Sequence, residues 1–150
     1  MAVVVPRTTL QAAVKAAIVD TLAAFEGLDG IQISYGHPGK SIKPRALCVM
    51  DIYGETTNTT IGRPRHRDEL FNVAIIADVL KKGTDQRGAT EGAYELVQQT
   101  ELAIDADHTL GGIPGLVWAT VTGPFTLTEQ FDADGRQASI EFFVECKTRI

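Results

Sequence analysis

Residues 88–121 read GATEGAYELVQQTELAIDADHTLGGIPGLVWATV, and this stretch organises the rest of the chain. Ala89, Ala93, Leu96, Val97, Thr100, Ala103 and Ile104 recur at i, i+3, i+4 spacing, so they fall on one stripe of an amphipathic helix. The stripe is narrow and built of small residues, which suits a helix lying flat on a sheet. Leu110-Gly-Gly-Ile-Pro-Gly115 then stops the helix and reverses the chain, because glycine permits positive φ and proline cannot continue a helix. Leu116 to Val121 returns as a strand. Gly88 and Gly92 each cost about 1 kcal/mol against alanine inside a helix. Either the helix starts late or this face approaches a neighbour too closely for side chains.

Outward from that helix, the chain reads as the sheet beneath it and a second helix beside it. Thr8 and Gln11 form a capping box that starts helix 1, whose stripe is Leu10, Val14, Ala17, Ile18, Thr21 and Phe25, with Leu22 at the margin. Gly27 and Gly30 end it. Ile31, Ile33 and Tyr35 alternate with Gln32 and Ser34 as a half-buried strand does. Gly36-His-Pro-Gly39 turns the chain into a basic loop, Lys40 to Pro44.

Ala46 to Tyr53 is apolar on both faces, Leu47, Val49 and Tyr53 against Cys48, Met50 and Ile52. It reads as a central strand, or one whose outer face meets another subunit. Gly54 to Arg65 is a threonine-rich polar excursion, either a loop or a hairpin arm projecting from the body. Arg67 to Leu80 is the strongest strand, with Phe71, Val73, Ile75, Ala77 and Val79 on one face. Thr84 is the expected N-cap of the second helix. In the C-terminal strands, Val117, Ala119, Val121, Phe125 and Leu127 share one face of the first. Ala138, Ile140, Phe142, Val144 and Cys146 share the inner face of the second. Asp132-Ala-Asp-Gly135 supplies the hairpin turn between them, and Gly123-Pro124 marks a bulge or edge break. The order is α-β-β-β-α-β-β over a single domain, residues 1–150. It predicts an α+β fold of two helices packed on one mixed, mainly antiparallel sheet of about five strands, with a long polar loop or hairpin arm.

A 150-residue chain with 44% hydrophobic and 22% charged residues buries a core without help from disulfides or metals. The two cysteines, Cys48 and Cys146, occupy apolar strand positions and read as buried thiols in a reducing compartment. No segment has the length of a membrane span. The net charge of −5 argues against a surface-wide nucleic-acid footprint. The charge is nevertheless divided: from His37 to Arg67 there are six bases and two acids, and from Asp68 onward fourteen acids and six bases. Such asymmetry can orient subunits head to tail or onto a partner.

Catalytic and metal patterns are weak. Asp132-x-Asp134-Gly135 matches only part of a calcium loop and reads better as a turn. Asp105-Ala-Asp107-His108 lacks converging ligands and reads as a solvated helix end. His37 and His66 read as surface histidines. No phosphate-loop, zinc-protease, dinucleotide or serine-hydrolase fingerprint occurs. The expectation is a protein that is not an enzyme and has no cofactor. The cluster above background is Arg63-Pro-Arg65-His66-Arg67, with Lys40, Lys43 and Arg45 near it. It is either a solvated strand entrance or an arm that docks on an acidic partner or faces DNA, in which case binding would be salt-sensitive.

The order of elements carries a family resemblance. An N-terminal helix leads to Ile31-x-Ile33-x-Tyr35-Gly-x-Pro38, and a polar excursion precedes the strong strand at Arg67. A helix then ends near Asp107-His-Thr-Leu-Gly-Gly112, and a hairpin closes the chain at Ile150. Over essentially its whole length the chain resembles the tail terminator (tail completion) proteins of long-tailed, siphovirus-type bacteriophages. The resemblance implies a structural protein that forms a homo-oligomeric ring, usually a hexamer. The ring caps the tail tube, ends its polymerisation and provides the head–tail joining surface. The implied partners are further copies of the chain, the tail tube protein and head–tail connector or neck proteins. Genomic DNA would pass through the lumen without specific binding, and no membrane is involved. The implied location is the tail–neck junction of the virion, and the host cytoplasm during assembly. Lys40, Lys43, Arg45, Glu55, Thr57, Thr59, Arg63, Arg65 and Arg67 are the candidate partner or subunit interface. Two other readings stand beside it: another neck or head-completion connector protein, and a small-ligand-binding α+β domain, which would need an apolar pocket with converging polar groups.

Overall fold

The computed structural model describes residues 9–58 and 67–150. Its elements are α1 (Gln11–Ala24), β1 (Gln32–Tyr35), β2 (Arg45–Asn58), β3 (Arg67–Lys82), α2 (Gln86–Ala106), β4 (Leu116–Phe131) and β5 (Gly135–Arg149). Single 3-10 turns occupy Glu26–Leu28 and Gly39–Ser41. The five strands form one sheet in the order β1-β2-β3-β5-β4, with β1 parallel to β2 and every other pair antiparallel. This is the α+β architecture that the pattern predicts.

Both helices lie on one face of the sheet. All seven residues of the α2 stripe are buried. The six apolar ones share a single core with Leu10, Val14, Ile18 and Leu22 of the α1 segment, and with the inward rows Phe71 to Val79 of β3 and Ala138 to Cys146 of β5. Leu22, expected at the margin, is fully buried, whereas Thr21 and Phe25 are half-buried. Helix α1 ends at Ala24, before either glycine, and Phe25 closes it.

The start of α1 departs from the capping-box expectation. The helix begins at Gln11 and Leu10, the N-cap residue, makes no side-chain cap, although the Thr9 hydroxyl accepts from the Gln11 N–H at 3.1 Å; Thr8 lies outside the described residues. The cap comes instead from the sheet. Glu69 of β3 is fully buried; its Oε1 accepts from the Leu10 N–H at 2.9 Å and from Thr148 Oγ1 at 3.2 Å, and its Oε2 accepts from Thr9 Oγ1. A carboxylate can be buried at tolerable cost only when its oxygens are satisfied in this way.

Helix α2 is capped by Asp85 rather than Thr84: the Asp85 Oδ1 accepts from the Gly88 N–H at 2.9 Å. The Lys81 ammonium, 2.8 Å away, and that N–H hold the Asp85 carboxyl below its usual range. Gly92 lies inside the helix, and a Cβ there would meet only Val79 methyls at 3.6 and 3.7 Å, ordinary contact. Neither a late helix start nor a close neighbour therefore explains it. Gly92→Ala is expected to stabilise the protein by about 1 kcal/mol in urea unfolding, the helix-propensity difference. A loss of stability would mean that Val79 does not leave the room that it shows.

A bulge changes one face assignment. Between Val49 and Ile52 the β2–β3 register shifts, so Ile52 packs against the core with Leu47 and Val49. Tyr53, expected beside them, turns to the other face and is 56% exposed. A second shift between Leu116 and Trp118 buries Leu116 and exposes Val117, reversing the expected order there. At Gly54, directly opposite Phe71, an added Cβ would come within 2.3 Å of the Phe71 Cβ, so only glycine fits this step of the sheet.

Candidate subunit interface

The polar excursion is resolved in favour of a hairpin for its described part. Strand β2 runs on to Asn58, paired with Arg67. The described part of the hairpin, 45–58 and 67–82, stays within the sheet rather than projecting from it. Strand β5 accompanies β3 to its end, and Arg67 and Ile150 exchange both backbone hydrogen bonds at 2.9 Å. Only Thr59 to His66 at the tip lie outside the described residues, and Thr59, Arg63 and Arg65 are among them.

Among the described residues the candidate bases do not gather into one patch. Lys40 lies on the turn Gly39–Ser41 and Lys43 follows it, both exposed. The Lys43 N–H donates to Gln32 Oε1 at 2.7 Å, which ties the basic loop to β1. Arg45 opens β2, with its guanidinium 3.8 Å from Glu95 of α2. Arg67 is half-buried at the start of β3. Arg45 is paired with Val79 and Asn58 with Arg67, at opposite ends of one ladder. The strand rise puts these ends about 40 Å apart. Lys40, Lys43 and Arg45 are therefore remote from Arg67, which corrects the expectation that they cluster. Glu55 is exposed on the face opposite the helices, two residues beyond Tyr53, and the Thr57 backbone pairs with Asp68.

Three features that the sequence does not flag emerge from the fold. The first is the uncovered sheet face. Among the described residues no helix lies over the row Tyr53, Asn72, Ile76, Phe143, Glu141 and Thr122, and Tyr53, Leu70 and Leu80 are each about half exposed. The second is a pair of open edges. Strand β1 covers β2 only from Ala46 to Val49, which leaves Ile52 to Asn58 without a partner on that side among the described residues. Strand β4, sixteen residues long, pairs among the described residues with β5 alone. Its outward residues, Thr120, Thr122, Thr126 and Thr128, carry no charge to discourage another strand. The third is a pocket of about 380 Å³ on the uncovered face, lined by Tyr53, Asn72, Gly123, Pro124, Glu141 and Phe143. Phe143 was the available signal: an aromatic residue in the outward row of β5, between Glu141 and Glu145.

Chemistry elsewhere is quiet. Cys48 and Cys146 are free and buried. Burial pushes the Cys146 thiol up to about 12 and raises that of Cys48, so both stay protonated at neutral pH. Asp107 closes the α2 C-terminus, its Oδ2 accepting from the Gly111 N–H at 2.7 Å. Asp132 Oδ1 accepts from the N–H groups of Asp134 and Gly135 at 2.8 and 2.9 Å, the geometry of a turn. Among the described residues no group of His, Cys, Asp or Glu is placed to hold a metal, and no helix is long and apolar enough to cross a membrane. No known family model and no curated protein matches this chain.

Proposed function

We propose that this chain is a structural protein of the tail terminator type, which assembles head to tail into a ring that caps a bacteriophage tail tube. The observation that carries the reading is the pair of open sheet edges, β4 on one side and the outer half of β2 on the other. A head-to-tail contact needs two different surfaces on each subunit that fit one another. Two edges of one sheet meet that need, since each presents a row of unpaired backbone N–H and C=O groups. Joining β4 of one copy to Ile52–Asn58 of the next would continue the sheet across subunits. A fixed rotation per step would then close the ring. The basic tip of the β2–β3 hairpin and the acidic C-terminal half supply charge of opposite sign to the two sides.

The test is the mass of the purified chain in solution, at low and high salt, alone and with tail tube protein, together with amide hydrogen exchange. A closed ring of about six subunits is expected, with slow exchange along Ile52–Asn58 and β4 in the assembled form only. A chain that stays monomeric at high concentration and neither binds nor caps tube protein would overturn the reading. Capture by portal-side rings without tube binding would move the assignment to a neck connector.

A further inference from the structure

The pocket of about 380 Å³ on the uncovered sheet face brings two aromatic rings together with a carboxylate and an amide. Its shape follows from the strand neighbours. Phe143 of β5 stands between two smaller residues, Ala74 of β3 and Thr122 of β4, so the sheet surface dips beside a large ring. Gly123 and Pro124 border the dip where the β4 ladder is interrupted, and Tyr53 of β2 borders it as well. The Tyr53 and Phe143 rings meet edge to face, their centroids 6.5 Å apart at 71°. In such a pair the ring that gives its edge keeps both of its faces clear of the other. Glu141 and Asn72 line the same pocket. The charge around it is acidic: Glu141 and Glu145 flank Phe143 along β5, and Glu55 lies two residues beyond Tyr53. Among the described residues no Lys or Arg is within ion-pair distance of Glu141; Lys147 stands farther along β5, and Arg149 is engaged with Asp68.

We propose that this pocket binds a small organic cation that carries a guanidinium group. Aromatic faces attract cations through the ring quadrupole. A guanidinium is planar, so it stacks on a ring while its N–H groups point sideways, where the Glu141 carboxylate and the Asn72 amide oxygen can accept them. An ammonium is a compact and more strongly hydrated charge, so it gains less from a ring and acceptors set side by side. The pocket volume falls within the roughly 300–1,000 Å³ of small-molecule sites. The glutamates around it raise the local concentration of any cation. Every residue of the site belongs to the described strands of one chain, so the inference does not depend on ring formation.

Methylguanidinium chloride titrated into the full chain at constant ionic strength, and read by NMR at the ring signals, tests the site. Saturable shifts at Tyr53 and Phe143 are expected, with a Kd on the order of millimolar, because the contacts are few and the pocket is open to solvent. Methylurea, a neutral molecule of the same shape, should leave the rings unmoved. Glu141→Gln should weaken binding about fivefold or more, and Phe143→Leu about threefold or more. Glu101→Gln, on the exposed side of α2, should change nothing. Glu141 is itself exposed, so its variant keeps the fold and decides the matter even where Phe143→Leu disturbs the sheet. The absence of saturable shifts, equal shifts with methylurea, or binding indifferent to Glu141→Gln would overturn the site. A blocked Gly-Arg-Gly peptide bound more than about tenfold tighter than methylguanidinium would make a protein segment the occupant and overturn the small ligand. The ring reading stands or falls separately, on the mass in solution.

Discussion

Glu69→Ala is expected to destabilise the protein by about 3 kcal/mol, because it strips a buried acceptor from several donors at once. The Leu10 N–H and the Thr148 hydroxyl would lose their partner in a buried site, and the exposed Thr9 hydroxyl would lose its tie to the sheet. The same change frees the start of α1 from the sheet, since both Thr9 and Leu10 are tied to β3 through this carboxyl group. Urea unfolding measures the loss. Glu69→Gln, which keeps the shape and one acceptor oxygen, should cost about half as much. Amide exchange at Val14, whose N–H bonds the Leu10 carbonyl, should accelerate more than exchange in α2. A loss below about 1 kcal/mol for Glu69→Ala would show that water replaces the carboxylate and that it does not fasten the helix.

Phe142→Ala is expected to cost about 3–5 kcal/mol, the range for a buried aromatic truncated in a packed core. Phe142 is fully buried in β5 opposite Ile75, with the Phe125 ring stacked on it at 6.3 Å and 17°. With β5 flanked by strands on both sides, the surroundings have little freedom to collapse into the void. Its sequence neighbour provides the control. Phe143 lies half-buried on the uncovered face, so Phe143→Ala should cost only about 1 kcal/mol in the isolated chain. Equal costs for the two would contradict a sheet covered on one side.

Helical periodicity carried most of the fold into view. The α2 stripe was legible in full because one local period, seven residues of a single helix, encodes it. The inward row of β5 was legible for the same reason, Ala138 to Cys146 alternating without interruption. What stayed hidden depended on partners far away in sequence. Asp68-Glu69 reads as a polar strand entrance, yet Glu69 is held by residues 60 and 79 positions away. The bulge between Val49 and Ile52 adds nothing visible to the alternation, since Met50 and Asp51 only shift the register against β3, and Tyr53 changes face unannounced. The candidate bases were close in sequence through a loop but distant in space, because an extended strand separates its own ends. The open edges are properties of the sheet order, which no local pattern records.

That sheet order also shapes how the chain reaches its folded form. The β2–β3 and β4–β5 hairpins each pair strands adjacent in sequence and can form early and independently. One seam, β3 against β5, stitches them together, and it joins residues as far apart as Asp68 and Arg149, 81 positions. Closing that seam traps all of α2 in the connecting loop before its buried stripe has a surface to rest on, so the entropy of closure precedes the reward. The expected slow step is then the docking of the two hairpins on one another. Substitutions along the seam should retard folding, while those at the α1 fastening should chiefly hasten unfolding. Until the halves meet, each exposes a bare hairpin edge, and that brief interval is when the chain is most open to pairing with the wrong copy.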